Sequence, residues 1–533
     1  MTNLVHELVR SHARRDGGAP ALIHGDSTLT YAEFDGALDR CAQALLGSGI
    51  GAGERVAVYL PKHLVTVIGI FAASCAGATF VPINPALKPK QVAYILKDCG
   101  VRVLITAGAR WQQLGEAVAD CDALHTVVLA DAKADAETEK DRRIVGWDAF
   151  LSGTAARDPH RRIDGDVAAI LYTSGSTGNP KGVVLSHRNL VAGAESVSTY
   201  LENTPTDRIL AVLPLSFDAG LSQLTTAFSV GASVVLMDYL LPRDVLRAVA
   251  KYRCTGLAAV PPLWNQLVQL EWPEEVATCL RYITNTGGAM PVPTTRRLRA
   301  LLPDTRIYLM YGLTEAFRST YLPPEEVDER PESIGKAVPN AEILVVKENG
   351  EPCGPGEPGE LVHRGALVAL GYWNDPEKTA QRFRPCPSQD PALPLQELAV
   401  WSGDQVVRDE DGYLYFVARK DDMIKTSGYR VSPTEVEAVA YASGLVGGAV
   451  ALGLYEAVLG QAILLIVTAG AEEVEDHEAI ADELSTLYRR ELPNFMQPRE
   501  ILVRDALPHN QNGKIDRRSL AEEYADRFRE TGP

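Results

Sequence analysis

The sequence predicts a multidomain α/β protein, and two observations indicate this fold class. Apolar segments with strand character alternate with segments of helical spacing along most of the chain, which is typical of layered sheets covered by helices. The chain also has 533 residues, which is more than one compact hydrophobic core accommodates. We therefore expect two or more domains.

The alternation is clearest near the amino terminus, over residues 54–84. There, RVAVYL is rich in β-branched residues, HLVTVIGIFAASCAGA has helical spacing, and TFVPIN is extended again. The same pattern recurs over residues 91–108, 208–238 and 256–312. These segments predict strands and helices in layered α/β sheets.

The pattern changes in the second half of the chain. Residues 341–375 have short strands separated by glycine and proline turns, which predicts a small β subdomain. After Lys420 a compact α+β unit begins, and it closes with the helical segment SLAEEYADRFRE. We place a large N-terminal domain at residues 1–420 and a C-terminal domain at 421–533. The charged stretch 131–143 is expected to be a solvated loop.

Composition excludes several functional classes. The net charge is −17 with no dense basic block, so nucleic acid is not expected as a ligand. The longest apolar run, Val65–Ala78, is too short to span a bilayer. The first 15 residues have no signal-peptide pattern, and the eight cysteines form no C-x-x-C pair. These features predict a cytoplasmic protein without membrane association.

The strongest local signal is the segment YTSGSTGNPKGVVLSH, Tyr172–His187. Its glycines and small hydroxyl residues let backbone amides and hydroxyls surround phosphate oxygens, and its lysine adds a positive charge. The spacing differs from a Walker A loop. A glycine- and serine-rich surface loop is the alternative, but turn chemistry does not require this order of residues. The candidate phosphate-binding residues are Thr173, Ser174, Gly175, Ser176, Thr177, Gly178 and Lys181.

This segment resembles the AMP-binding signature of the adenylate-forming superfamily, which comprises acyl-CoA synthetases, adenylation domains of nonribosomal peptide synthetases and luciferase-type enzymes. Four further segments resemble motifs of that superfamily in its order: YGLTE (311–315), WSGD (401–404), ARKDDMIKTSGYRVSPTEVE (418–437) and NGKIDR (512–517). The resemblance implies two α/β subdomains and a β subdomain, followed by a small mobile α+β domain. It also implies an AMP-forming ligase that uses ATP and Mg²⁺.

The resemblance assigns the nucleotide-binding residues. Tyr311 would lie near adenine, Thr314 would contact the α-phosphate, and Glu315 would help to hold Mg²⁺ together with Thr177. At the ribose, Asp404 would accept hydrogen bonds from both hydroxyls, and Arg419 would lie close by. One departure is visible, because the family usually has glycine where this chain has Ala418.

The C-terminal motif supplies the catalytic lysine. By resemblance, Lys514 bridges the acyl carboxylate and the phosphate during adenylation, whereas a lone lysine after Asn-Gly is otherwise a solvated turn residue. Asp421 would be the hinge about which the small domain rotates, bringing the region 426–429 to a thiol tunnel. An ordinary solvated linker is the alternative for this hinge.

Two charged residues stand out near the expected acyl pocket. In the segment Phe217–Ser222, Asp218 would pair with a substrate ammonium, or it caps the following helix. Arg318 would hold a second substrate carboxylate, or it pairs with Asp218 or points to solvent. Ser222, Thr284 and Thr286 would line the same pocket. A simple fatty acid is expected to leave Asp218 and Arg318 without partners.

The pocket residues narrow the expected function. Asp218, Arg318 and Thr286 resemble stand-alone enzymes of macrolactam biosynthesis that adenylate aspartate-type β-amino acids, and residues 310–346 resemble acyl ligases associated with exosortase systems. We expect adenylation of an amino acid, such as aspartate or a 3-substituted aspartate, and transfer to the phosphopantetheine of an acyl or peptidyl carrier protein. The alternatives are a coenzyme A ligase for another carboxylic acid and a non-catalytic nucleotide-binding protein.

Overall fold

The computed structural model describes residues 2–132, 137–139, 142–153, 156–173, 180–419, 422–426, 429–456, 459–470, 477–510 and 513–529. The α-helices are α1 (Glu7–Asp16), α2 (Tyr31–Gly47), α3 (Leu64–Ala76), α4 (Pro89–Asp98), α5 (Gly108–Leu114), α6 (Trp147–Ser152), α7 (His187–Tyr200), α8 (Asp218–Val230), α9 (Pro242–Tyr252), α10 (Pro261–Leu267), α11 (Glu274–Cys279), α12 (Val292–Leu301), α13 (Pro376–Arg382), α14 (Pro433–Ala442), α15 (His477–Glu491) and α16 (Arg517–Glu523).

The strands are β1 (Pro20–His24), β2 (Ser27–Thr30), β3 (Arg55–Tyr59), β4 (Thr79–Pro82), β5 (Val101–Thr106), β6 (Thr126–Leu129), β7 (Glu137–Glu139), β8 (Arg142–Gly146), β9 (Val167–Thr173), β10 (Lys181–Ser186), β11 (Arg208–Ala211), β12 (Ser233–Leu236), β13 (Gly256–Ala259), β14 (Tyr282–Asn285), β15 (Arg306–Tyr311), β16 (Thr320–Leu322), β17 (Ser333–Ala337), β18 (Ala341–Val346), β19 (Gly359–Gly365), β20 (Gly371–Tyr372), β21 (Phe383–Pro385), β22 (Leu398–Arg408), β23 (Leu414–Arg419), β24 (Ile424–Thr426), β25 (Tyr429–Val431), β26 (Val446–Glu456), β27 (Gly460–Ala469) and β28 (Glu500–Arg504).

The first large sheet has the strand order β20-β10-β9-β4-β3-β5-β6-β8-β7. Strands β3, β4 and β5 are parallel, and α3 connects β3 to β4 as the sequence pattern predicts. Helix α3 is apolar and buried along almost its whole length, because it packs between the sheet and α2. Strands β9 and β10, which flank the predicted phosphate-binding loop, therefore belong to a well-packed layer.

The second large sheet has the order β18-β19-β22-β23-β17-β16-β15-β14-β13-β11-β12-β1-β2, with β21 paired to β22. Its central strands β12, β11, β13, β14 and β15 are parallel. The carboxyl ends of these strands consequently lie along one edge, where open α/β sheets bind their ligands. Beyond β16 the sheet continues antiparallel into the predicted β subdomain.

The C-terminal part forms its own smaller α+β unit. Strands β26, β27 and β28 make one sheet, β24 and β25 pair separately, and α14 and α15 pack on this unit around a core that includes Val436, Leu465 and Leu484. The prediction of a multidomain α/β fold with a large N-terminal and a smaller C-terminal domain is confirmed. The boundary at residues 420 and 421 lies outside the described residues and stays a prediction.

Two local predictions were wrong. The charged stretch 131–143 is not only a loop, because residues 137–139 form β7 and pair antiparallel with β8. The last helix, α16, ends at Glu523 instead of continuing to the end of SLAEEYADRFRE. At β7, pairing with β8 outweighs the local residue preference.

Candidate active site

One group of polar side chains gathers where the two large sheets meet. Lys181 begins β10, Glu315 lies in the turn after β15, and Tyr372 ends β20. Lys181 Nζ donates to Glu315 Oε1 at 2.8 Å, and Tyr372 Oη donates to the same oxygen at 2.6 Å. Burial alone raises the pKa of Glu315, but the charge of Lys181 and these hydrogen bonds outweigh it and hold the pKa at about 2. Glu315 is therefore a carboxylate at every physiological pH.

The strands that flank the predicted phosphate-binding loop meet at this group. Thr173 and Lys181 are paired residues of β9 and β10, so the two ends of the loop are held together. Residues 174–179, which include Ser174, Gly175, Ser176, Thr177 and Gly178, lie outside the described residues. The hydroxyl of Thr173 is buried and has no hydrogen-bond partner among the described residues. This donor fits an oxygen-rich ligand in the loop.

The predicted ribose site is also assembled. Tyr311 Oη donates to Asp404 Oδ2, and Arg419 Nε donates to Asp404 Oδ1 at 3.0 Å. Burial and the adjacent carboxylate of Asp404 raise the pKa of Tyr311, so its hydroxyl stays protonated as a donor. Ala418 is buried in β23 and pairs with Gln405, next to a register shift between β22 and β23, so the alanine is accommodated where the family has glycine.

The C-terminal lysine reaches this site from the small domain. Lys514 lies in a short turn closed by the pairing of His509 with Ile515. Its Cε is 3.2 Å from the position that a Cβ on Gly287 would occupy, just after β14. Burial lowers the pKa of Lys514, and the negative charge of the Asp218 carboxylate opposes this shift. The small domain is thus placed with its lysine inside the site of the large domain.

The structure brings Asp218 and Arg318 together as an ion pair. Arg318 Nη1 donates to Asp218 Oδ2 at 2.7 Å, and Thr314 Oγ1 donates to Asp218 Oδ1 at 3.1 Å. Arg318 is 3% exposed and Asp218 13% exposed. The expectation that a fatty acid leaves these two charges without partners is therefore wrong, because each has the other as its partner without any substrate.

Local backbone geometry explains how Arg318 points inward. Phe317 is fully buried with φ of +58°, a conformation that bulky residues rarely adopt. Its ring packs against Gly193 of α7, where a Cβ would be 2.5 Å from the ring. This anchor fixes the turn after Glu315 and holds Arg318 toward Asp218. The capping alternative for Asp218 is wrong, because Phe217 is the N-cap of α8 and no side chain caps that helix.

The other predicted pocket residues are buried, and some of their polar atoms lack a partner within the described part of the chain. The Nε of Arg318 and the hydroxyl of Thr284 have no hydrogen-bond partner among the described residues. Ser222 lies one turn after Asp218, and its hydroxyl is 3.3 Å from that of Thr226. Thr286 is buried at the end of β14, where its N–H donates to the carbonyl of Ala259. Buried polar atoms without partners are costly, so the Arg318 Nε and the Thr284 hydroxyl are candidates for ligand contacts.

Comparison with known proteins decides the family. Residues 9–373 match the family described as AMP-binding enzyme, and residues 435–514 match the AMP-binding enzyme C-terminal domain. The chain belongs to the AMP-binding enzyme family. It is an AMP-forming ligase of the adenylate-forming superfamily, as the sequence motifs predicted, and enzymes of this family use ATP.

Three relatives illustrate the breadth of this family. The L-proline–[L-prolyl-carrier protein] ligase of Streptomyces coelicolor is 33% identical over 97% of this chain and 96% of the relative. A long-chain-fatty-acid–CoA ligase of Salmonella typhimurium is 29% identical over 97% of this chain and 94% of the relative. ATP-bound MatB from Rhodopseudomonas palustris shares the fold, with a TM-score of 0.86 and 24% identity over 99% of this chain and all of that one.

Sequence reasoning missed two side chains of this AMP-forming ligase. Tyr372 completes the contacts of Glu315, yet no motif marked it, because it comes from a short strand 57 residues away. Arg382 ends α13, donates to the Trp401 carbonyl at 2.8 Å and contributes positive charge near Glu315. No sequence motif marks Arg382 as a neighbour of Glu315, because it is an ordinary basic residue at the end of a helix.

The donor set of the ligase fits Mg²⁺ held jointly with phosphate. Among the described residues, no cluster of three or more His, Cys, Asp or Glu side chains forms a complete metal site. The ionised carboxylate of Glu315 contacts Lys181, which follows the predicted phosphate-binding loop, and Mg²⁺ commonly uses one or two protein carboxylates when phosphates supply other ligands. Within the described part of the chain, no helix is long and apolar enough to cross a membrane.

Proposed function

We propose that this ligase adenylates an amino acid with a second carboxylate, such as aspartate or a 3-substituted aspartate, and transfers it to the phosphopantetheine thiol of a carrier protein. The observation that carries this proposal is the buried pair of Asp218 and Arg318 beside Lys514. Asp218 lies close enough to act electrostatically on the lysine. The pair therefore borders the place where the reacting carboxylate belongs.

In the first step, a carboxylate oxygen of the substrate forms a bond to the α-phosphorus of ATP, and pyrophosphate leaves with the bridging oxygen. Both reactants are anions, so the site must neutralise charge and fix their approach. We assign to Lys514 the bridge between the carboxylate and the α-phosphate, and to Lys181 the outer phosphates. Mg²⁺, held by Glu315 and the phosphates, would balance the charge of the departing pyrophosphate.

Charge balance favours an acidic amino acid. Asp218 and Arg318 together have no net charge, so an adenylate with only an ammonium adds an uncompensated positive charge next to Arg318. A second substrate carboxylate on Arg318 restores the balance while the ammonium contacts Asp218. Each carboxylate oxygen of Asp218 can accept a further hydrogen bond besides that from Thr314 or Arg318. The free Nε of Arg318 and the Thr284 hydroxyl offer donors to the same substrate carboxylate.

In the second step, the thiol sulfur forms a bond to the acyl carbon, AMP leaves, and the thiol proton passes to solvent. Lys514 occupies the site in the present arrangement, so the small domain must move before a thiol enters. We assign the pivot to Asp421, which lies outside the described residues. The carrier protein is supported as acceptor by the Streptomyces coelicolor relative, which is similar over nearly the full length of both chains.

A second candidate is a coenzyme A ligase for a carboxylic acid without an amino group. It is favoured by the 2.7 Å ion pair itself, because Asp218 and Arg318 neutralise each other without substrate. The similarity to a long-chain-fatty-acid–CoA ligase supports the same reading. In this case Arg318 is a structural residue.

Acid-dependent pyrophosphate exchange tests the proposal. The panel contains aspartate, 3-methylaspartate, glutamate, proline, β-alanine, benzoate and octanoate. The highest specificity constant for an acidic amino acid supports the proposal, and the highest one for octanoate or benzoate contradicts it. With the preferred acid, transfer to holo-carrier protein and to coenzyme A is then compared.

A further inference from the structure

A basic and apolar surface lies on α9 and the loop before it. This α9 surface consists of Leu240, Leu241, Arg243, Arg247 and Lys251. Leu240 is 95% exposed and Leu241 46% exposed. The three basic residues are spaced four apart and are all exposed, so they line one face of the helix. The opposite face is buried in the large domain through Val245, Leu246 and Val249.

The positive charges of this surface are barely neutralised within the chain. Arg247 is 3.8 Å from Asp244, and Lys251 is 3.8 Å from Asp26, which is fully exposed. Such long contacts at the surface contribute little. Within the described part of the chain, Arg243 forms no ion pair. A basic stripe with two exposed leucines is notable in a chain of net charge −17.

The topology places the α9 surface on the same side as the active site. Its loop leaves the carboxyl end of β12, and the order of parallel strands is β12-β11-β13. Val260 follows the carboxyl end of β13 and lies against Gly513, next to Lys514. Two strand spacings, about 10 Å, therefore separate the loop from the strand beside the lysine. The leucines and Arg243 are the nearest part of the surface, because α9 runs away from that edge.

We propose that the α9 surface docks the carrier protein through an acidic amphipathic helix of that protein. This inference rests on the proposed transfer to a carrier. Arg243 and Arg247 contact carboxylates of the carrier, and Leu240 contacts an apolar residue beside them. Opposite charges speed the encounter and orient the partner, and this effect weakens as salt rises. Docking here leaves the phosphopantetheine arm directed at the sheet edge where the acyl adenylate forms.

Matched charge reversals test the docking site. The double variant Arg243→Glu/Arg247→Glu should raise KM for holo-carrier protein by about tenfold or more, with kcat almost unchanged. Pyrophosphate exchange and transfer to free pantetheine should stay at the wild-type level. The control Arg14→Glu/Arg15→Glu makes the same charge change on exposed residues of α1 and should leave the KM for carrier unchanged.

The contribution of Leu240 is tested by a second variant with its own matched control. Leu240→Asp should also raise the KM for carrier, whereas Leu395→Asp, at a residue 84% exposed in the β subdomain, should not. Equal KM values for the α9 double variant and the α1 control would overturn the proposal. A second outcome would also overturn it. If wild type bound anionic phospholipid vesicles, and the α9 double variant lost this binding but kept a normal KM for carrier, the surface would be a membrane-binding site. If wild-type enzyme loads coenzyme A and no carrier, the proposed acceptor itself is wrong.

Discussion

Arg318 and Asp218, a hundred residues apart in the chain, form a hydrogen-bonded ion pair of 2.7 Å, largely buried, in the region that we assign to the acid pocket. A lone buried charge is costly, so either residue without the other is strongly destabilising unless a ligand replaces it. A substitution of either residue that changes the preferred acid is therefore expected to lower the stability of the folded protein as well.

Replacing Arg318 separates the two candidate functions. Arg318→Ala should reduce the specificity constant for the acidic amino acid by about a hundredfold or more, the scale of losing one partner of a buried charge. It should favour β-alanine or 3-aminobutyrate relative to that acid, because Asp218 can then pair with an ammonium alone. Pyrophosphate exchange measures both. Arg330→Ala, at a half-buried arginine that precedes β17 and pairs with Asp409, is the control. An equal loss for all acids in Arg318→Ala would indicate a structural role for Arg318.

Replacing Lys514 tests the placement of the small domain. Lys514→Ala should slow pyrophosphate exchange by about a hundredfold or more, because a charged donor to the transition state is lost. Transfer from synthetic acyl adenylate to the thiol should be far less affected, since the lysine must leave before that step. The exposed Lys90→Ala on α4 provides a matched control. Equal losses in both half-reactions would contradict the two-conformer assignment.

Replacing Glu315 tests the metal assignment. Glu315→Gln should raise the Mg²⁺ concentration for half-maximal pyrophosphate exchange by about tenfold, because one anionic oxygen beside the phosphates is removed. Its Lys181 partner stays in place. The pKa of about 2 further predicts that wild-type exchange does not decline through Glu315 titration between pH 5 and 8. An unchanged Mg²⁺ requirement in the variant would remove Glu315 from the metal site.

The hinge assignment has a direct test. Asp421→Pro should retain pyrophosphate exchange and lose thiol transfer, because proline fixes φ near −65° and prevents rotation at this residue. Asp421→Ala keeps the backbone free and should retain both activities. Normal transfer by the proline variant would place the pivot at another residue.

Buried histidines predict a pH dependence of stability. Burial is the main cause that lowers the pKa of His6 and His187 to about 4, and His187 accepts a hydrogen bond from the Val5 N–H. In the unfolded chain their pKa is near 6.5, so their contribution is complete above that pH and is lost as pH falls from 6.5 to 4. Each contributes up to about 3 kcal/mol of this change. Urea unfolding measures the free energy of unfolding of wild type and of His6→Gln/His187→Gln between pH 4 and 7. This free energy should depend less on pH in the variant. Equal pH dependence in the two proteins would show that these histidines are not its cause.

The sequence predicted the architecture, and its motifs also marked residues that the structure brings together. The strand–helix–strand pattern at β3, α3 and β4 is local, so residue periodicity was sufficient to find it. The motifs that hold Tyr311 and Asp404 are also compact in sequence, and the structure brings these two residues together. Periodicity and motifs reveal only those features that are determined by residues close together in the sequence.

The remaining features depend on tertiary contacts. Whether Arg318 meets Asp218 or solvent is decided by the buried ring of Phe317 and its unusual φ, neither of which a pattern reveals. Tyr372 reaches Glu315 only because β20 pairs with β10. Strand β7 forms from charged residues because β8 offers it a partner.

The hydrogen bond from Thr314 to Asp218 has a consequence for redesign of this enzyme. One oxygen of Asp218 belongs to the acid pocket, while its other oxygen fixes a hydroxyl that we assign to the α-phosphate. New acid specificities obtained by changing Asp218 alone will therefore also alter turnover with every acid. Variants with a new acid specificity, engineered or natural, should therefore carry coordinated substitutions at residues 218, 314 and 318.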